Sequence, residues 1–162
     1  MTDESLQRAT ADWIMKAALN GTDMPGLVEA AAKRVLANGV PVSRAYVTYR
    51  TLHPAFESVG VMWRRDSGVS THEFPHGTGL NRAWAHSPFA FMADNGIKYL
   101  RRPLTGPAKL VDFPILEDLA AEGATDYFAV VMPFASQEIE ISGTRPDGIA
   151  TSWVTDRPGG FA

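Results

Sequence analysis

The sequence predicts an α+β domain in which N-terminal helices pack on one face of a central, mostly antiparallel sheet of five to six strands. Three observations predict it. Apolar residues recur at helical spacing up to Asn38-Gly39, and from Val42 the pattern turns to period two. Short strand-like and helical runs then alternate, each closed by Gly or Pro. With 162 residues, 45% of them hydrophobic, one core can bury roughly 70% of the unfolded chain's surface.

Leu6, Ala9, Trp13 and Ala17, widened by Ile14, define an amphipathic helix over Leu6–Leu19 that Asn20-Gly21 ends. Thr22 or Asp23 can cap a second helix, Pro25 suits its first turn, and Leu27, Ala31 and Val35 form its apolar face. In the next run Ala45, Val47 and Tyr49 alternate with Tyr46, Thr48 and Arg50, which is a strand. Val59–Arg65 and Val69–Phe74 follow as strands, and Gly77 and Gly79 mark a loop. Ser87-Pro88 reads as a cap and first-turn proline for a short helix over Phe89–Asn95, closed by Gly96. Ile97–Arg101 returns to strand, and Phe113-Pro114 opens a helix over Ile115–Glu122 that Gly123 closes. Asp126–Phe134 is the most apolar strand and Ile149–Thr155 the last, with turn residues over Gly143–Gly148. There is no internal repeat, and residues 1–162 read as one domain: leading helices over 1–39, the sheet with its intervening helices over 42–156, and the start of a linker over 157–162.

Charge and composition narrow the function classes. A net charge of −3 gives no footprint for nucleic acid or an anionic membrane, both of which reward clustered Lys and Arg. Cysteine is absent, which removes disulfides, thiolate catalysis and Cys-ligated zinc together. No apolar run approaches the roughly 20 residues of a membrane span, and the polar start Met1–Arg8 is unlike a signal peptide. A cytoplasmic location is the simplest expectation.

One motif invites a hydrolase reading. His72-Glu73-Phe74-Pro75-His76 matches H-E-x-x-H, in which a helix sets two imidazoles one turn apart on zinc and the Glu polarises bound water. Pro75 works against that helix, at a cost of about 3 kcal/mol; in an extended chain the two imidazoles lie roughly 13 Å apart, too far for one ion. No metal site is therefore expected. A haem- or metal-binding sensor is the other alternative, with His53, His76 and His86 as possible ligands, but no Cys-x-x-Cys-His attachment motif accompanies them. Trp63, Trp84, Phe89, Phe91, Tyr99 and Tyr127 are the residues most suited to line an apolar pocket, and Arg50 and Arg65 could meet an anion at its rim.

Six runs carry a family resemblance: Ser43-Arg44-Ala45-Tyr46, Arg50-Thr51-Leu52-His53-Pro54, Trp63-Arg64-Arg65, Trp84-Ala85-His86-Ser87-Pro88-Phe89, Glu122-Gly123-Ala124-Thr125-Asp126-Tyr127 and Thr155-Asp156-Arg157-Pro158-Gly159-Gly160-Phe161. From about Leu19 to Phe161 the chain resembles the N-terminal, GAF-like regulatory region of bacterial class III adenylate or guanylate cyclases. Ala135–Gly148 departs from that pattern by being longer than a short turn. The resemblance implies a sensory domain without catalytic residues of its own, controlling cyclic-nucleotide synthesis by a downstream output domain. It implies a homodimer, a possible small-molecule ligand, and no cofactor for this chain, ATP and a divalent metal belonging to the output domain alone.

Overall fold

A computed structural model describes residues 3–76, 84–134 and 148–161. Among them are four helices, α1 (Asp3–Leu19), α2 (Met24–Ala37), α3 (Pro88–Asp94) and α4 (Pro114–Ala121). Six strands, β1 (Arg44–Arg50), β2 (Phe56–Arg64), β3 (Gly68–Pro75), β4 (Tyr99–Pro103), β5 (Asp126–Pro133) and β6 (Gly148–Thr155), form one sheet in the order β3-β2-β1-β6-β5-β4. Every neighbouring pair is antiparallel. The first and last strands therefore lie side by side at the centre, with a hairpin on one flank and the β4–β5 pair on the other. The loop expected at Gly77 and Gly79, and the long segment after Phe134, lie outside the described residues.

Local signals explain most boundaries. Asp23 caps α2 by accepting a hydrogen bond from the Gly26 amide at 2.9 Å, and Ser87 does the same for α3 through the Ala90 amide at 3.1 Å. Gly123, at φ +94°, supplies the left-handed residue after α4, where the Ala124 amide donates to the Leu119 carbonyl at 2.9 Å. The fourth strand begins two residues later than its apolar pattern predicts. Ile97 closes α3 instead, its amide donating to the Met92 carbonyl at 2.8 Å.

Residues paired across strands share a face, so the register sorts the sheet into two. One face carries Ala45, Val61, Val69 and Trp153, the other Tyr46, Met62, Ser70 and Ser152. Helix α2 packs on the first face over β1, β2 and β3. Its buried residues are Val28 and Ala32, one position round from the predicted stripe of Leu27 and Ala31, which are half-buried. They join Val42, Ala45, Val61 and Trp63 in a core cluster. Helix α1 packs on α2, with Arg34 stacked 4.2 Å from the Trp13 ring centroid.

The second face has its own cover. Helices α3 and α4 bury Phe89, Met92, Leu116 and Leu119 against Leu100, Tyr127, Ala129 and Val131. Helices thus stand on both faces, the leading pair on one and the short pair on the other, because the strands of a sheet this wide present apolar residues to both sides.

Residues 157–161, expected to begin a linker, fold back on the domain. The Phe161 amide donates to buried Asp126 at 3.2 Å, whose carboxylate also takes two hydrogen bonds from Arg101 at 2.9 and 2.6 Å. Gly160, at φ +77°, passes so close to Asp126 that a Cβ there would collide with the carboxylate. The Phe161 side chain packs with the α2-side cluster.

Candidate ligand-binding cavity

Between the second sheet face and the short helices lies a cavity of about 780 Å³. Strand alternation supplies its floor: Arg44, Tyr46, Thr48 and Arg50 from β1, Ser58 and Met62 from β2, His72 and Phe74 from β3. Tyr127, Val131, Ala150 and Ser152 continue it across β5 and β6. Trp84, His86, Phe89, Ile115, Asp118 and Leu119 line it from the helical side.

Tyr46 sets the shape of the floor. Gly60 lies buried on the neighbouring strand, and any Cβ there would run into the Tyr46 ring. The missing side chain lets the ring lie down on β2 rather than stand in the cavity, and Phe89 stacks on it with centroids 6.4 Å apart.

One group of polar residues lies near the start of β1. Tyr127 is buried, its hydroxyl hydrogen-bonded to Ser152, and burial pushes its pKa above the ordinary tyrosine value. Arg44 has a buried Nε with no hydrogen-bond partner among the described residues. Burial lowers its pKa and Arg64 adds to that, with Glu122, Tyr127 and Tyr46 acting the other way. Glu122 itself is bonded to Arg64 at 2.9 Å, which holds its carboxyl below the usual range.

Four of the eight sequence-predicted site residues come together here: Trp84, Phe89, Tyr127 and Arg50. The other four lie elsewhere. Trp63 pairs with Ala45 and is buried under α2, because its position in β2 has the opposite parity to Met62. Tyr99 is exposed on edge strand β4, stacked on Phe128 at 6.4 Å. Phe91 turns away from the sheet to meet Phe113 at 5.6 Å, and Arg65 pairs with Asp156. Arg44, Tyr46, Met62 and Ser152 were the residues sequence reasoning missed. The alternation in β1 held the clue for two of them, since Arg44 and Tyr46 share the parity of Arg50.

The H-E-x-x-H motif lies on β3 through Pro75. His72 pairs with Gly60 and Glu73 with Val59, which puts the two on opposite faces of the sheet. His76 reaches the His53 carbonyl at 3.2 Å, and His53 stacks on Phe56 at 4.7 Å. Of the possible haem ligands, His86 alone lines the cavity. Among the described residues there is no group of three His, Cys, Asp or Glu side chains able to hold a metal ion. No described helix is long and apolar enough to cross a membrane.

The chain matches no protein-family model and no curated protein sequence.

Proposed function

We propose that this chain is a cytoplasmic GAF-like sensory domain that binds a small molecule and regulates cyclic-nucleotide synthesis by a class III cyclase domain of the same protein. The observation that carries the reading is the cavity of about 780 Å³, within the size range of small-molecule sites, between an antiparallel sheet and two short helices. The open antiparallel sheet with the leading helices on the face away from the cavity supports the reading as a ligand-binding α+β domain.

The route from cavity to output runs through adjacent residues. Tyr127 faces the cavity, while its neighbour Asp126 holds Phe161 on the other face. A ligand that favours one arrangement of β5 would bias the departing chain, provided it binds the two arrangements with different affinity. Pairing of two copies along α1, where Met15 and Leu19 are exposed, would carry that bias to a dimeric output domain.

The test uses the full-length encoded protein. Conversion of ATP to cyclic AMP, at a rate that Ala150→Phe alters by filling the cavity, is the expected result. A protein with no cyclase activity, or one whose rate ignores the cavity-filling change while fold and abundance are kept, contradicts the reading.

A further inference from the structure

The cavity's lining has an uneven charge. Among the described residues its charged side chains are Arg44, Arg50 and Asp118, beside the imidazoles of His72 and His86. Arg50 lies six residues along β1 from Arg44, about 20 Å away at strand rise. Asp118 is exposed on α4 and does not figure among the charges acting on Arg44.

Arg44 is the unusual member. Among the described residues the one carboxylate that acts on it, Glu122, is already engaged by Arg64 at 2.9 Å. Two guanidiniums thus share one carboxylate, and the inner one keeps a buried Nε without a partner among the described residues. A guanidinium cannot shed its proton in a protein, and a buried donor left unmade is costly. The neighbouring Tyr127 and Ser152 hydroxyls add hydrogen-bonding groups but no counter-charge. Beyond this end, the floor turns apolar at Tyr46, Met62, Val131 and Ala150 beneath Phe89.

We infer that the cavity takes an apolar monocarboxylate, with its carboxylate on Arg44 and its hydrocarbon or aromatic body along Tyr46, Phe89 and Ala150. The inference rests on the reading of the cavity as a ligand site. A planar carboxylate matches one guanidinium fork with two oxygens and supplies a negative charge that the described residues at this end lack. A doubly charged phosphate would need a second free cation, and Arg64 is occupied.

Calorimetric titration of the chain with matched acid and alcohol pairs tests this: decanoate against decanol, and naphthoate against naphthylmethanol. In at least one pair the acid binds the wild type about tenfold or more tightly than its alcohol, the scale of a charge-assisted hydrogen bond. Arg44→Met removes that preference and leaves the alcohol's affinity; Arg44→Lys, which keeps charge but loses the fork, reduces it. Equal binding of acid and alcohol by the wild type overturns the carboxylate even if neither variant folds. So does a preference that survives in Arg44→Met, or binding of cyclic AMP with neither acid bound. Ala150→Phe separates the two layers of the argument. Equal acid and alcohol binding that Ala150→Phe abolishes overturns the carboxylate and leaves the cavity reading standing. Binding of none of these probes by the wild type overturns both.

Discussion

The two faces of the sheet are built from the same strands and end differently. On the α2 side, Ala32, Ala45 and Val61 are fully buried, and small residues on helix and strand let the two approach closely around Trp63. On the other side Tyr46, Met62 and Phe74 are large yet only half-buried, because among the described residues α3 and α4 cover the β4–β5 flank and border a cavity over β1 and β2. Burial of apolar surface thus holds the fold mainly where helix meets sheet directly. The opposite face keeps its aromatic residues for a cavity. The comparison teaches that alternation along one strand can send neighbouring residues to a packed cluster on one face and to a cavity wall on the other.

Truncation tests that contrast most strongly. Trp63→Ala removes a buried side chain from the α2-side cluster and should cost about 3–5 kcal/mol in urea unfolding. Met62→Ala, next to it in sequence but beside the cavity, should cost about 1–2 kcal/mol. Equal costs would mean that both faces are packed alike. Enlargement should give the mirror image. Ala45→Leu overpacks the α2 side and lowers stability by about 1–3 kcal/mol, while Ala150→Leu, with empty space before it, changes stability by less than about 0.5 kcal/mol.

Base titration sharpens the comparison at one residue. Burial raises the Tyr127 pKa in the folded state, so the neutral phenol's contribution is complete below the unfolded tyrosine value of about 10 and declines as pH rises beyond it. Above pH 10 the wild type should lose up to about 1.4 kcal/mol per pH unit more than Tyr127→Phe, measured by urea unfolding at stepped pH. Identical slopes would mean that the hydroxyl is hydrated.

The smallest effect belongs to the surface. Arg65, which holds Asp156 through a hydrogen bond, lowers the Asp156 pKa; the pair's contribution is complete above the ordinary aspartate value of about 4 and is lost as pH falls through the lowered one. Asp156→Asn should cost less than about 1 kcal/mol at neutral pH and nothing in acid. A larger loss, seen in thermal unfolding at the two pH values, would give this exposed pair a share in holding residues 157–161.

Much of the architecture was legible from period and punctuation. Helix caps at Asp23 and Ser87, the stop at Gly123 and the alternation from Ala45 to Arg50 each act through residues close in the chain. The α2 face was misjudged by one residue because Val28 and Ala32 are selected by the sheet beneath, which local spacing does not encode. The cavity was half legible for the same reason. Trp63 and Trp84 look alike as aromatic residues in a sequence, but only the register of β2 against β1 sends one under α2 and only the course of the chain before α3 brings the other to the cavity. Arg44 carried no local signal of its surroundings, and its Nε is left without a partner among the described residues while Glu122 meets Arg64 across 58 residues of chain.

The central claim, that the cavity over β1 and β2 takes a small molecule while the cluster of Val28, Ala32 and Val61 on the other face is packed core, can be read from methyl groups. In a methyl NMR titration with naphthoate, the account predicts shifts at Met62, Ile115, Val131 and Ala150, with Val28, Ala32 and Val61 unmoved. Shifts at the second set without the first, or none at either set with naphthoate and none with decanoate, would contradict it.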